Sequence, residues 1–479
     1  MINLIKYFYR YTSLFYKIYR YIASYNNTKT HDMVLLDSLI HQIKLCGSVA
    51  IKFCQWSIPK LEVMHLSIED IHNNIKPLWL KKLENFYENC ENHDMKHTLS
   101  CYKKSFKTDI TEDYEILDII GSGSIGQVYL LKNKPLTKFT EPKQYVMKIL
   151  HPQVRDEIYY FRIYYNIIKR FSFVKEILNK NFPFDINGFI DCFDDQSNFI
   201  NESNHLLSFQ EYYKDNKSVV IPRLIKVSED IIIMSYEEGI AFDDLKCNKY
   251  DKFKYAMLLT SFVTNNQRIN NLNHGDLHKG NWKVRMENNE FKIVIYDFGF
   301  SWRVPQSKKK CIEQVVEVFE KAECDSVDVN KLSGVFQMLI KDTGKEEIIK
   351  EYLQGNIDQL KPWVLDPHRI FNMAIEICIK NKMEIDPVLI QCIIILIQCD
   401  KIFSEYEFTS TESNMITSTK VYRKKYLDML SYYNTHDIFH DYGKLIVQLL
   451  NDEQTEIKSI FDCSEMPDSI KKLALNIEY

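Results

Sequence analysis

Hydrophobic and polar positions follow two different periods along this chain, and the changes of period divide it. In residues 1–31, Leu4, Phe8, Tyr11, Phe15, Tyr19 and Ile22 share one side of a helix. Lys6, Arg10, Lys17 and Arg20 fall opposite them, within a stripe of about 80° at about 100° per residue. Residues 32–112 continue as amphipathic helical stretches, with polar breaks near Asn73–Pro77 and Glu91–His97. From about Tyr114 the spacing becomes that of strands: Ile116–Ile120, Val128–Leu130, Tyr145–Leu150 and Ile231–Tyr236. Beyond Gly239 the pattern is helical again, apart from loops around residues 274–299. The most apolar run, Val388 to Cys399, contains Gln391 and Gln398 and lies between Asp386 and Asp400. It is shorter than the ~20 apolar residues that span a bilayer, so it predicts a buried core helix. The expected divisions are a basic segment 1–31, a helical extension 32–112, a β-rich lobe 113–236 and a mostly helical lobe 237–479. No internal repeat or low-complexity linker interrupts them.

Composition narrows the class. A chain of 479 residues with 45% hydrophobic and 26% charged residues is globular and long enough for two or three packed units. The net charge of −4 gives no pull towards nucleic acid. Twelve cysteines without a Cys-x-x-Cys pair fit neither a zinc site nor a disulfide framework, and point to an intracellular, reducing compartment. Charge changes the picture at the N-terminus, where residues 1–31 carry no acid. A basic, aromatic, amphipathic helix suits peripheral membrane contact through residues 1–25 or organelle targeting. It equally suits a helix that docks its apolar face on the body of the protein.

Four local patterns carry candidate chemistry. Gly121-Ser122-Gly123-Ser124-Ile125-Gly126-Gln127-Val128 is G-x-G-x-x-G-x-V between two strand-like runs. Its glycines let backbone N–H groups approach phosphates, although Gly-Ser turns are common without any ligand. Lys148 interrupts the apolar strand Tyr145–Leu150, and a buried ammonium there needs a partner or a ligand. Glu202, on the helical stretch 199–209, offers the partner, and an edge-strand lysine facing water is the alternative. The strand Ile231–Tyr236 ends before Glu237-Glu238-Gly239, which is where a kinase fold crosses between its lobes and where, by that analogy, Met234 and Tyr236 would lie beside adenine. Finally, His274-Gly275-Asp276-Leu277-His278-Lys279-Gly280-Asn281 precedes a β-rich run ending in Asp297-Phe298-Gly299. That is the layout of a kinase catalytic loop and metal loop. Asp276 would orient or deprotonate the attacking group, and Asn281 and Asp297 would bring oxygens to Mg²⁺ beside ATP.

Together these residues resemble the UbiB/ADCK (aarF-domain-containing) atypical kinase-like family, over most of the chain from about residue 35 to at least 305. The catalytic loop has Gly275 where protein kinases carry Arg, in keeping with the family's H-(A/G)-D-x-H-x-G-N. Lys148-Ile149-Leu150-His151-Pro152-Gln153-Val154 is similar to its lysine strand followed by H-P-x-V. Lys52-Phe53-Cys54-Gln55 resembles its K-x-G-Q segment, with Cys54 in place of Gly. The family's E-x-D signature would fall at Gln196-Ser197-Asn198, both acids appearing as amides. The resemblance implies an α+β, two-lobed protein-kinase-like fold with a helical N-terminal extension. It also implies Lys52 and Gln55 near the nucleotide, and a lysine freed of its two acids that turns to the ATP phosphates or to Asp297. The function it implies is Mg-ATP binding with ATPase or phosphotransferase activity in lipid or quinone metabolism at a membrane, on a lipid or small-molecule substrate. A small-molecule kinase of the aminoglycoside or choline type shares H-G-D-x-x-x-x-N, and a catalytically silent ATP-binding scaffold is a further alternative. No Ala-Pro-Glu follows Gly299, and Phe300–Gln306 is a short bridge before helical spacing resumes near Lys308.

Overall fold

The computed structural model describes residues 2–67, 70, 75–84, 91–134, 143–247, 249–288, 290–309, 329–341, 344–356 and 367–406. The stretch Lys132–Lys143, with Pro135 and Pro142, reads in the sequence as a long hairpin loop; its residues 135–142, and the part of the helical lobe 237–479 beyond Tyr406, lie outside the described residues.

The N-terminal stretch forms helices α1 (Ile2–Thr28), α2 (Met33–Cys46) and α3 (Ser48–His65), followed by α4 (Leu78–Glu84), α5 (Met95–Phe106) and α6 (Ile110–Asp113). Asp32 starts α2 by accepting the Val34 and Leu35 N–H groups, which removes two orphan donors. Gly47 separates α2 from α3 at φ +88°, and a Cβ there would lie 2.3 Å from Glu157 Oε1. Only glycine meets both demands. The Glu157 carboxylate in turn accepts the Ser48 N–H at 2.7 Å and caps α3.

The apolar side of α1 docks on the body. Tyr7, Tyr11 and Leu14 are buried against Leu36, Leu39 and Ile43 of α2 and Tyr164 of α7 (Val154–Ile168). The buried face is rotated from the expected one, and Tyr19 is exposed. Partners on two neighbouring helices, α2 and α7, select the face that touches both.

The small lobe is a five-stranded antiparallel sheet in the order β1-β2-β3-β6-β5. Its strands are β1 (Tyr114–Ser122), β2 (Gly126–Asn133), β3 (Gln144–Leu150), β5 (Leu224–Val227) and β6 (Ile231–Ser235). The period of two sorts β3 and β6 between the faces. Met147, Ile149, Ile231 and Ile233 pack with Tyr102 of α5 and Ile110 of α6. Leu150, Ile232 and Met234 face the other way, into the main core, and Lys148 shares that face. There it meets α10 (Phe199–Tyr213), which follows α8 (Ser172–Asn181) and α9 (Ile186–Gln196).

The large lobe begins past the hinge, where Ile240 bridges Val284. A three-stranded sheet, β4 (Val219–Val220), β9 (Glu290–Ile295) and β8 (Trp282–Glu287), and the pair β7 (Asn273–His274) and β10 (Ser301–Trp302) carry the loops. They rest on α11 (Lys249–Asn265) and α15 (Pro387–Tyr406), whose buried Ile395 joins Leu258, Phe262, Ile295 and Phe298 in the main core. A second core joins α12 (Val329–Leu339), α13 (Glu346–Gly355) and α14 (Pro367–Asn381) to α15 and to Val63 of α3. Helix α15 is thus the core helix expected from Val388–Cys399. Among the described residues, no helix is long and apolar enough to cross a membrane. The architecture is α+β, two-lobed and kinase-like.

Candidate active site

Residues from five separate elements converge between the lobes. The hydrogen-bond ladder sets Lys148 opposite Val128 of β2 and Ile232 of β6 in the middle of the sheet. Its ammonium donates to Glu202 Oε2 at 3.0 Å and Oε1 at 3.2 Å, and to Asp297 Oδ1 at 3.0 Å. Burial would push the ammonium down, but the Asp297 and Glu202 carboxylates outweigh it and hold Lys148 above the usual lysine range. Asp297 is held well below the carboxylate range: burial opposes ionisation, and Lys148, then Lys52, overcome it. Glu202, deeper and beside the Asp297 charge, is pushed up by burial. Asp297 sits at φ +51°, a left-handed conformation that returns its side chain to Lys148 and to the Gly299 N–H at 3.2 Å. A Cβ on Gly299 would come within 3.2 Å of both acids.

The catalytic-type loop is built around His274. Its Nε2–H donates to Tyr296 O at 2.9 Å, so its Nδ1 is the acceptor for the Asp276 N–H at 3.3 Å. Asn281 Nδ2 donates to Asp276 O at 2.8 Å, which leaves its oxygen as the atom able to meet a metal. Gly275 is demanded by packing, because a Cβ there would lie 2.4 Å from the Trp302 ring. The Asp276 carboxyl lies below its ordinary range: burial raises it, and Lys52 and His278 lower it further than that.

Helix α3 reaches both halves of the site. Lys52 Nζ donates to Asp276 Oδ2 at 2.9 Å, and Ser124 of the glycine-rich loop donates to Gln55 Oε1 at 3.0 Å. The freed lysine therefore pairs with the catalytic-loop aspartate and not with Asp297. Of the two amides in the E-x-D positions, Gln196 lines the same cavity as Lys52, while Asn198 caps α10 by accepting the Ile200 N–H. The glycine-rich loop is a tight hairpin turn, Gly123 N–H donating to Gly126 O at 3.0 Å. A Cβ on Gly126 would lie 2.5 Å from Ile149 O. Met234 is buried on β6, and the Tyr236 N–H bonds Gln144 O at 3.3 Å where the chain leaves the sheet.

Several residues of the site escaped the sequence reading. A cavity of about 30 Å³, enough for one or two waters, adjoins Asp276 and is lined by Lys52, Trp56, Phe189, Gln196 and Gln391. Lys60, 1% exposed, donates to Gln391 Oε1 at 3.1 Å and to Trp56 O at 3.0 Å, and burial pushes its ammonium well below the usual range. Gln391 Nε2 then donates to Gly275 O at 3.3 Å. The available signal was the pair Gln391 and Gln398, both on this cavity and two turns apart in the otherwise apolar run Val388–Cys399.

A two-lobed fold with a strand lysine, a helix glutamate, and the aspartate, asparagine and aspartate of the two loops in one cleft defines an atypical kinase-like protein. Residues 85–330, more than half of the chain, match the ABC1 atypical kinase-like domain, and the chain belongs to that family, the one its motifs resemble. The match begins after α3, so Lys52 and Gln55 lie outside it. No curated protein sequence matches the chain. Among solved structures, the Rv3197–erythromycin complex from Mycobacterium tuberculosis is similar at 16% identity and TM-score 0.41, covering 71% of this chain and 91% of that one. The Rio2 kinase–ADP/Mg²⁺–phosphoaspartate complex from Chaetomium thermophilum aligns at 14% identity and TM-score 0.26, covering 67% and 98%. Both likenesses are too distant to carry residue roles across.

Proposed function

We propose that this chain binds Mg-ATP between its lobes and acts as an ATPase or phosphotransferase. The observation that carries this reading is Lys148 held between Glu202 and Asp297, the arrangement that positions phosphates and metal in phosphoryl transfer. Asn281 and Asp297 supply hard oxygen donors that suit Mg²⁺. Among the described residues no three His, Cys, Asp or Glu gather as a metal site, which fits an ion shared with phosphates. The glycine-rich loop would offer backbone N–H groups to the phosphates, with Met234 and Tyr236 beside the base. Bound Mg²⁺ would neutralise charge on the phosphates, while Asp276 orients the attacking hydroxyl or water and accepts its proton.

A lipid or quinone setting at a membrane is part of the proposal, supported by the family resemblance and by the outer face of α1. Ile5, Tyr9, Tyr16 and Tyr19 are exposed on the side opposite the docked one, beside exposed Lys6 and Arg20. Such a surface suits an anionic headgroup layer. Wild-type protein is expected to hydrolyse ATP faster with anionic vesicles than without. Replacing Tyr9 and Tyr16 with Ser should abolish that gain without lowering the melting temperature. Each interfacial Lys or Arg adds about 1 kcal/mol to such binding, lost at high salt. Absence of turnover in wild type, with Asp276→Asn as the blank, would overturn the catalytic reading.

The Lys52–Asp276 ion pair favours a second reading, an ATP-binding protein held silent while its base is occupied. On either reading Lys52→Ala leaves Asp276, Asp297 and Glu202 facing one ammonium, so Mg-ATP binding should weaken by about tenfold. If calorimetry finds both Mg-ATP and Mg-ADP dissociation constants within twofold of wild type, Lys52 only packs.

A further inference from the structure

The last long helix of the extension is joined to the glycine-rich loop by a hydrogen-bonded chain whose polarity can be worked out link by link. It starts at Gly123 O, which can only accept, so His151 Nε2 at 3.0 Å carries the proton. Burial keeps His151 and His93 below the usual histidine range, hence neutral. His151 Nδ1 must then accept, and His93 Nδ1 at 2.8 Å must donate. His93 Nε2 is therefore an acceptor, and the Thr98 hydroxyl at 2.9 Å donates to it. Thr98 Oγ1 accepts from the Tyr129 hydroxyl at 2.6 Å, Tyr129 accepts from Gln127 Nε2 at 2.7 Å, and Gln127 Oε1 accepts the backbone N–H of His93 at 2.8 Å. The last three links close a ring through His93. Thr98, Gln127 and Tyr129 are all fully buried, so water offers none of them a substitute partner. His151 also fixes the loop through its own N–H, which donates to Ile125 O at 2.8 Å.

We propose that His93, Thr98 and His151 are positioning residues for the glycine-rich loop. The ring sets the His93 tautomer, that tautomer sets the one at His151, and His151 holds the Gly123 carbonyl. The backbone N–H groups of the turn are thereby aimed before any phosphate arrives, which lowers the ordering cost of binding. Removing the Thr98 proton donor leaves His93 Nε2 without a partner. If His93 responds by moving its proton to Nε2, two Nδ1 acceptors face each other, and His151 must take a proton on Nδ1 and release Gly123. The loop is then free to fluctuate although nothing near it has changed shape.

The inference rests on the nucleotide reading for its consequence, but not for the loop anchoring itself. Two measurements on the full chain separate them: the Mg-ATP dissociation constant, and amide hydrogen exchange of residues 121–127 without nucleotide. Thr98→Val keeps the shape and deletes the hydroxyl, while Thr98→Ser keeps the hydroxyl and deletes the methyl. We expect Thr98→Val to raise the dissociation constant by about tenfold and to speed exchange in the loop, and Thr98→Ser to stay within twofold on both. A packing role gives the opposite order, with Ser the worse variant, and would overturn the proposal. So would unchanged loop exchange in Thr98→Val. Should wild type bind no Mg-ATP, the nucleotide reading fails while the exchange comparison still decides the anchoring. If Thr98→Val does not fold, Thr98→Ala, which removes the same donor to His93 Nε2, replaces it and is compared with Thr98→Ser, which lacks the same methyl: loop exchange and a dissociation constant no different between the two would overturn the proposal.

Discussion

Replacing Lys148 with Met is expected to cost about 3–5 kcal/mol of folding stability, the range for removing one member of a buried ion pair. Met fills nearly the same space, so the loss is electrostatic and not a cavity. Glu202, its side chain 1% exposed, loses the only cation that hydrogen-bonds it among the described residues. Asp297 is 38% exposed on its open side and can be partly solvated, so most of the penalty falls on Glu202. Adding Glu202→Gln to Lys148→Met should therefore recover roughly half of the loss, because the double variant no longer buries an unpaired carboxylate. Urea unfolding of the two single variants and the double variant measures this directly. A Lys148→Met protein within about 1 kcal/mol of wild type would mean that the pair does not hold the lobes.

Asp297→Asn is expected to keep the fold and to abolish the Mg²⁺-dependent part of stabilisation by ATP. Asparagine tolerates the left-handed backbone at φ +51° as aspartate does, and its side-chain oxygen can still accept the Gly299 N–H. Lys148 keeps Glu202, so no charge is stranded. What disappears is the anionic oxygen donor for the metal, leaving Asn281 alone among the protein's candidate ligands. Wild-type protein with Mg-ATP at 100 times its dissociation constant should gain about 2.7 kcal/mol. Equilibrium unfolding with ATP, with and without Mg²⁺, reads the difference. A variant that retains the full Mg²⁺-dependent gain would remove Asp297 from the metal site.

Much of this site was legible in the linear chain because its parts sit on short, stiff segments. Asp276 and Asn281 are five residues apart in one loop, and the 2.8 Å bond between them needs nothing from elsewhere. Lys148 stands in an apolar strand, where the period of two assigns its face. The cost of burying an ammonium alone says that Lys148 has a partner, and the kinase layout, a strand lysine paired with a glutamate on a following helix, points to Glu202. The α1 helix was legible as a helix but not as to which face it buries, since amphipathicity leaves that choice to the neighbours. Gln391 was passed over because a polar residue in an apolar run reads as an interruption until its partner is known.

By itself, then, the amino-acid order determined the main elements and the local geometry within each loop, through periodicity and fixed local spacing. Apart from Lys148 and Glu202, the tertiary structure alone decided which distant groups share a charge or a proton. Lys52 reaches Asp276 across 224 residues, Lys60 reaches Gln391 across 331, and His93 meets His151 across 58. Such pairs depend on how α3 and α5 lie against the lobes, which follows from packing summed over whole helices and leaves no mark in local spacing. For Lys52 this mattered most: the amides at positions 196 and 198 led to the expectation of the ATP phosphates or Asp297 as its partner, and the fold placed Asp276 within its reach.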